Sequence, residues 1–221
     1  MKSEFASANL TAGQLNAIVK KLGGYDGALR FLRDEISLRD EASVIISKRK
    51  WREQDGIIYL SVTSNGMTGE DWIEHFRKNG FMLNCDVERV LRSENFKPSL
   101  GVTTEIAILK DTLWSAGERL TRNIRVKAFH LGITPPNVEV ACLIREAFSD
   151  QEIRDMGLKE ITVMHESFID SHYRLPMLLN ISSVGGNHSN CGSWLLMKSG
   201  DFNMKWEEKV GFAFQISSVS A

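Results

Sequence analysis

The sequence predicts a mixed α+β domain preceded by a short helical pair. Three observations lead there. Apolar residues recur at helical spacing in several segments before residue 170, and compact β-branched runs interrupt them. From Asp170 to Ala221 no helical period is found, and short strand-like runs alternate with Gly/Ser/Asn-rich connections. With 221 residues, 43% apolar and 25% charged, the chain can bury one substantial core. A formal net charge of -1 supplies no broad attraction to nucleic acid or anionic membrane.

The elements follow in order. Thr11 is placed to cap a first helix, with Gln14 as its capping-box partner and Leu10 and Leu15 as a hydrophobic staple. Leu15, Ile18, Val19 and Leu22 mark its apolar face, and Gly23-Gly24 ends it. Ala28, Leu29, Phe31 and Leu32 line a second short helix, which completes a pair over 1–36. Arg30 and Arg33 on that helix are offset by Asp26, Asp34 and Glu35, so a packing or oligomerisation module is expected rather than a DNA reader. Residues 37–55 are charged without a period and are expected to form a linker or hairpin. The cluster Lys48, Arg49, Lys50 and Arg52 reads as a solvated face of it.

A ligand-binding domain then spans 56–221. GIIYLSVT (56–63) is expected as a strand, and Thr68 and Asp71 open a helix with Trp72, Ile73 and Phe76 on one face. Further helices are expected over 86–94, 121–131, 137–148 and 149–156, and further strands over 102–109, 160–166, 178–182, 194–197 and 210–216. MKSEFASANLTAG carries no apolar signal stretch, and no apolar run is long enough for a bilayer. Cys85, Cys142 and Cys191 are far apart and odd in number, as in reduced thiols, so cytoplasmic location and no membrane partner are expected.

Few chemical motifs appear. His188 and Cys191 stand three apart, and with His165 and His172 they make the alternative reading, a metal-dependent enzyme or metal-binding protein. HESFI lacks the second histidine of a helical zinc motif, and no nucleophile elbow, phosphate loop or dinucleotide fingerprint is present. No catalytic residue, metal or cofactor is therefore assigned. The favoured reading is recognition. Trp194, Trp206, Gly211, Phe212 and Phe214 are expected as scaffold. Ser182, Ser183, Asn187, His188, Ser189, Asn190, Cys191, Lys198, Ser199, Asp201, Asn203 and Lys205 are expected to contact a ligand.

Gly192-Ser193-Trp194-Leu195-Leu196 followed by Trp206-Glu207-Glu208-Lys209-Val210-Gly211-Phe212-Ala213-Phe214 resembles the C-terminal region of the variable proteins of diversity-generating retroelements. The upstream stretches WREQDGIIYLSVTSNGMTGEDWIEHF and PNVEVACLIREAFSDQEIRDMGL are similar to a group of bacterial proteins with the same W…W…GFAF ending. The first resemblance implies a C-type-lectin-like (formylglycine-generating-enzyme-like) α+β fold with paired N- and C-terminal strands. It also implies that loops 182–193 and 198–205 form one exposed, potentially diversified face. Residues 178–193 are all types that adenine mutagenesis of Asn codons reaches, whereas Met197, Lys198, Met204, Lys205, Glu207 and Glu208 are not. Glu-Pro-Asn, Gln-Pro-Asp and Trp-Asn-Asp triplets are absent from the sequence, which argues against calcium-dependent sugar binding. The expected partner is a protein or other macromolecule of unknown identity, and not nucleic acid.

Overall fold

The computed structural model describes residues 11–33, 50–94, 96–169, 176–183 and 194–217, and the chain divides into two compact units between Arg49 and Lys50. In the first unit, α1 (Ala12–Lys21) and α2 (Tyr25–Leu32) meet at Gly23-Gly24, whose φ angles are 87° and 89°. Gly24 N–H donates to Val19 O at 2.9 Å and Gly23 N–H to Lys20 O at 3.2 Å. This bond pair ends a helix where glycine accepts the left-handed conformation. Leu15, Ile18 and Tyr25 remain exposed. Leu10 and the side chains of Gln14, Phe31 and Leu32 lie outside the described residues.

The second unit is mixed α+β, built on one ten-stranded sheet. It begins with β1 (Trp51–Gln54) and β2 (Ile57–Asn65), paired antiparallel around Asp55-Gly56. Both turn residues have positive φ, 52° and 76°, as a two-residue hairpin turn needs. Of the segment 37–55, expected as a linker or hairpin, residues 51–54 form the first strand of this hairpin, and 37–49 lie outside the described residues. The strand sequence, Trp-Arg-Glu-Gln, is mostly polar because β1 is an edge strand with three of its four residues exposed. Two members of the basic cluster are engaged: Lys50 donates to Ala147 O at 2.8 Å, and Arg52 stacks 4.1 Å from the Tyr59 ring centroid.

The remaining strands are β3 (Met82–Leu83), β4 (Leu100–Lys110), β5 (Ile133–Thr134), β6 (Glu160–Val163), β7 (Phe168–Ile169), β8 (Pro176–Ser182), β9 (Trp194–Ser199) and β10 (Val210–Ile216). Their order is β1-β2-β4-β10-β6-β8-β9-β3, with β5 beside β10 and β7 beside β8. The last strand, β10, lies inside the sheet, antiparallel to β4 and parallel to β6. β4 therefore separates it from the N-terminal hairpin. The N- and C-terminal strands do not pair, contrary to the arrangement that the lectin-like resemblance implies.

The two faces of the sheet carry separate apolar clusters. On one, Ile58, Leu60, Ile106, Ile108, Ile161, Val163, Leu179 and Leu195 pack under α3 (Gly69–Lys78), α4 (Cys85–Leu91), α6 (Glu139–Ala147) and α7 (Asp150–Asp155). Thr68 and Ser149 cap α3 and α7 with reciprocal bonds to Asp71 and Glu152, which satisfies amide groups the first helical turn leaves open. On the other face, Leu109, Leu178, Phe212 and Phe214 pack with Ile124 and Ala128 of α5 (Thr121–His130) and with Trp206.

Gly211 shows how closely the first face is packed. A Cβ there would lie 2.6 Å from Ile108 Cγ2 and 2.7 Å from Leu158 Cδ1. Overpacking a core costs roughly 1–3 kcal/mol. Gly211→Val is therefore expected to lower stability by at least that much in a denaturant titration, whereas wild-type stability in the variant would remove the steric account.

Candidate functional site

Two parallel strands separated by β6 and β8 must be joined across a face of the sheet. Residues 200–209 make this crossing from β9 to β10, and they pack on the Phe212 side. The crossing segment also supplies acceptors to the start of α5, which has no side-chain cap. Thr121 N–H donates to Met204 O and Arg122 N–H to Phe202 O, both at 3.1 Å. Trp206 N–H donates to Arg119 O at 2.8 Å, and its indole Nε1–H donates to Thr121 Oγ1 at 3.0 Å. Its ring meets Phe212 edge-on, with centroids 5.5 Å apart.

Several of the expected contact residues also make bonds within the fold. Ser199 Oγ accepts from Asp201 N–H at 3.3 Å, Asp201 Oδ1 accepts from Asn203 N–H at 2.8 Å, and Asn203 Oδ1 accepts from Arg122. These side chains shape the strap's own turns. Lys205 is exposed, but its backbone bridges to Leu120. Ser182 and Ser183 are buried, and Ser183 is tied to Lys159 O through both N–H and Oγ, at 3.0 and 2.8 Å. In the β8–β9 hairpin Ser182 pairs with Trp194 and Met177 with Ser199. The two expected loops thus start from opposite ends of β9, separated by about 17 Å at the usual strand rise. Asn187, His188, Ser189, Asn190, Cys191 and His172 lie outside the described residues.

The structure instead gathers a polar cluster on the strap side of β6, β8 and β9. Directly paired residues of antiparallel strands project to the same side. Glu160 pairs with Ser182 and Thr162 with Asn180, while Ser182, Asn180 and Leu178 pair with Trp194, Leu196 and Lys198. Asn180 is the centre. Its Nδ2 donates to Thr162 Oγ1 at 2.8 Å and to Glu160 Oε2 at 3.3 Å, and Lys198 Nζ donates to the same Glu160 oxygen. Glu160 and Lys198 are partly exposed, so their pairing supplies orientation more than stability. Asn180 itself is 0% exposed.

Two buried atoms in this cluster have no hydrogen-bond partner among the described residues: the acceptor Asn180 Oδ1 and the donor Trp194 Nε1. Their residues are diagonal neighbours across β8 and β9, with Cα atoms roughly 7–8 Å apart by sheet geometry. A buried polar group without a partner costs about 1–3 kcal/mol, so a fold rarely keeps an acceptor and a donor so close without use. Lys198, Ser182 and Trp194 were legible as site or scaffold residues. Glu160, Thr162 and Asn180 were not. Their only signal is the i, i+2 spacing of polar residues inside otherwise apolar strands, Glu160-x-Thr162 and Asn180-x-Ser182.

His165 is buried beside this cluster and is fully engaged. Its Nε2 accepts from Leu179 N–H at 3.0 Å, which leaves Nδ1 as the protonated nitrogen that donates to Glu166 O at 2.8 Å. Burial, together with the nearby Arg125 charge, lowers its pKa to about 4. A neutral ring with both nitrogens committed to backbone has no lone pair for a metal or for proton transfer, so His165 leaves the alternative metal-ligand set. Among the described residues no group of three His, Cys, Asp or Glu side chains is placed to hold a metal ion. Cys142 is buried, and burial raises its thiol pKa well above the usual range, which makes it unreactive.

No protein family, curated protein or solved structure matches the chain. No helix among the described residues is long and apolar enough to cross a membrane.

Proposed function

We propose that the protein is a non-catalytic binding protein whose reading surface is the β6–β8–β9 polar cluster, and that it recognises an amide-bearing segment of a protein partner. One observation carries this reading: a buried acceptor, Asn180 Oδ1, and a buried donor, Trp194 Nε1, on neighbouring strands have no partner among the described residues. A polypeptide offers both complements, an N–H for the asparagine and a C=O for the indole. The Trp194 ring adds apolar contact area with little entropy to lose on binding. Glu160 and Thr162 fix the Asn180 amide through Nδ2, which leaves Oδ1 as its unused acceptor. The composition of residues 184–193, which join Ser183 to Trp194, supports the same reading, since Ser, Asn, Gly and His suit adaptable polar contacts.

The test is selection of random peptides on the immobilised full chain, followed by affinity measurements on Asn180→Leu. The substitution removes the unpartnered acceptor but also leaves buried Thr162 Oγ1 without its donor, which costs about 1–3 kcal/mol. The variant is expected to stay folded with a melting temperature lowered by no more than about 10 °C. It should bind the selected peptides at least tenfold more weakly. Peptides that bind wild type and Asn180→Leu equally, or a selection that yields none, would reject the site.

A further inference from the structure

A second built feature lies where the strap meets the start of α5. A cleft of about 440 Å³ is lined by Ala116, Arg119, Lys159, Lys205, Trp206, Glu207 and Glu208. Arg119 forms its base and is only 6% exposed. A guanidinium carries five N–H donors and is expected to find acceptors at 2.7–2.9 Å when buried beside a carboxylate. Arg119 does not. Its closest acceptors are Glu208 Oε1 at 3.4 Å from Nη2 and Asp111 Oδ2 at 3.6 Å from Nη1. Nε and Nη1 are buried without a hydrogen-bond partner among the described residues. Glu208, by contrast, is 74% exposed on its side chain and holds a loose bond that costs little to break.

We infer that this cleft binds an oxyanion, a phosphate or carboxylate group of a small ligand, and that Glu208 occupies the ligand's position in its absence. The lining charges favour this. With Glu208 displaced, the lining cations Arg119, Lys159 and Lys205 outnumber the lining carboxylate Glu207 and the Asp111 carboxylate near Arg119. Trp206 closes the floor, held by its own indole bond to Thr121.

The experiment is calorimetric titration of the full chain with inorganic phosphate and, separately, with acetate, at ionic strength held constant with sodium chloride. Saturable binding of either anion is expected, and the tighter of the two identifies the ligand group. Lys205→Gln should weaken it several-fold, and Glu208→Gln should tighten it several-fold by removing the competing carboxylate; both changes are at exposed positions. Arg119→Lys keeps the charge but loses the planar donors, so it should weaken binding at least tenfold. No saturable heat with either anion overturns the inference. So does an unchanged affinity in Arg119→Lys, which would reveal only a diffuse positive field. Asn180→Leu should leave anion binding intact, because the cleft and the strand cluster are separate sites.

Discussion

Replacing Trp206 by alanine is expected to destabilise the protein by about 3–5 kcal/mol, the usual cost of deleting a large buried aromatic side chain. The side chain is 3% exposed, packs edge-on against Phe212 and donates its indole N–H to Thr121 Oγ1 at 3.0 Å. Its loss opens a cavity above β10 and leaves the strap tied to α5 by backbone bonds and the Arg122–Asn203 side-chain bond. At about 2–4 °C per kcal/mol for a chain of this size, the melting temperature should fall by roughly 10 °C. Trp206→Phe, which keeps most of the apolar area but not the indole donor, should cost clearly less. A displayed loop would behave differently. If both variants melted within a degree or two of wild type, residues 200–209 would not be the packed crossing described above.

The second large effect is a loss of stability in mild acid, traced to His165. The ordinary histidine pKa is 6.5, and in the folded protein burial lowers it to about 4. Between these values the unfolded chain takes up a proton that the native state refuses, so unfolding is favoured as pH falls. Above pH 6.5 the ring is neutral in both states and contributes no pH dependence. The loss therefore begins near pH 6.5, grows until about pH 4, and amounts to roughly 3 kcal/mol when complete. The structural cause is burial, and Nε2, which accepts Leu179 N–H, cannot do so once protonated.

Carboxylates act in the next window. Hydrogen bonds from Thr68 and Ser115 lower the pKa of Asp71 and Glu118, so the stability they contribute is present above the usual carboxylate pKa and lost on further acidification. The decline between pH 6.5 and about 4.5 belongs to His165, and His165→Gln should flatten it. Urea titrations at pH 7, 5.5 and 4.5 measure this directly; equal wild-type stability at all three would contradict the buried, neutral ring.

The parts of the fold legible in the sequence were those governed by local chemistry. Thr68-x-x-Asp71 specified a capping box, Gly23-Gly24 a helix end, and the β-branched runs specified β2, β4 and β6. β1 was missed because an exposed edge strand has no apolar alternation to display. The sheet order was not legible either. β10 sits between β4 and β6, and no local pattern records which distant strands will flank it.

The candidate site failed to show for the same reason. Glu160, Thr162, Asn180 and Lys198 come from three strands, and only the register of those strands brings them together. Short polar side chains such as Ser199 and Asp201 suit a binding loop, but they equally suit turns, and here each accepts from the backbone N–H two residues on.

The most direct measurement of the central claim is the indole N–H resonance of Trp194, assigned in a nitrogen-15 spectrum by its disappearance in Trp194→Phe. A donor without an acceptor should resonate upfield and move downfield on titration with a selected peptide, saturating together with the binding isotherm. In Asn180→Leu, affinity for the same peptide should be lost. A Trp194 signal that stays fixed while the peptide binds would show that recognition happens elsewhere.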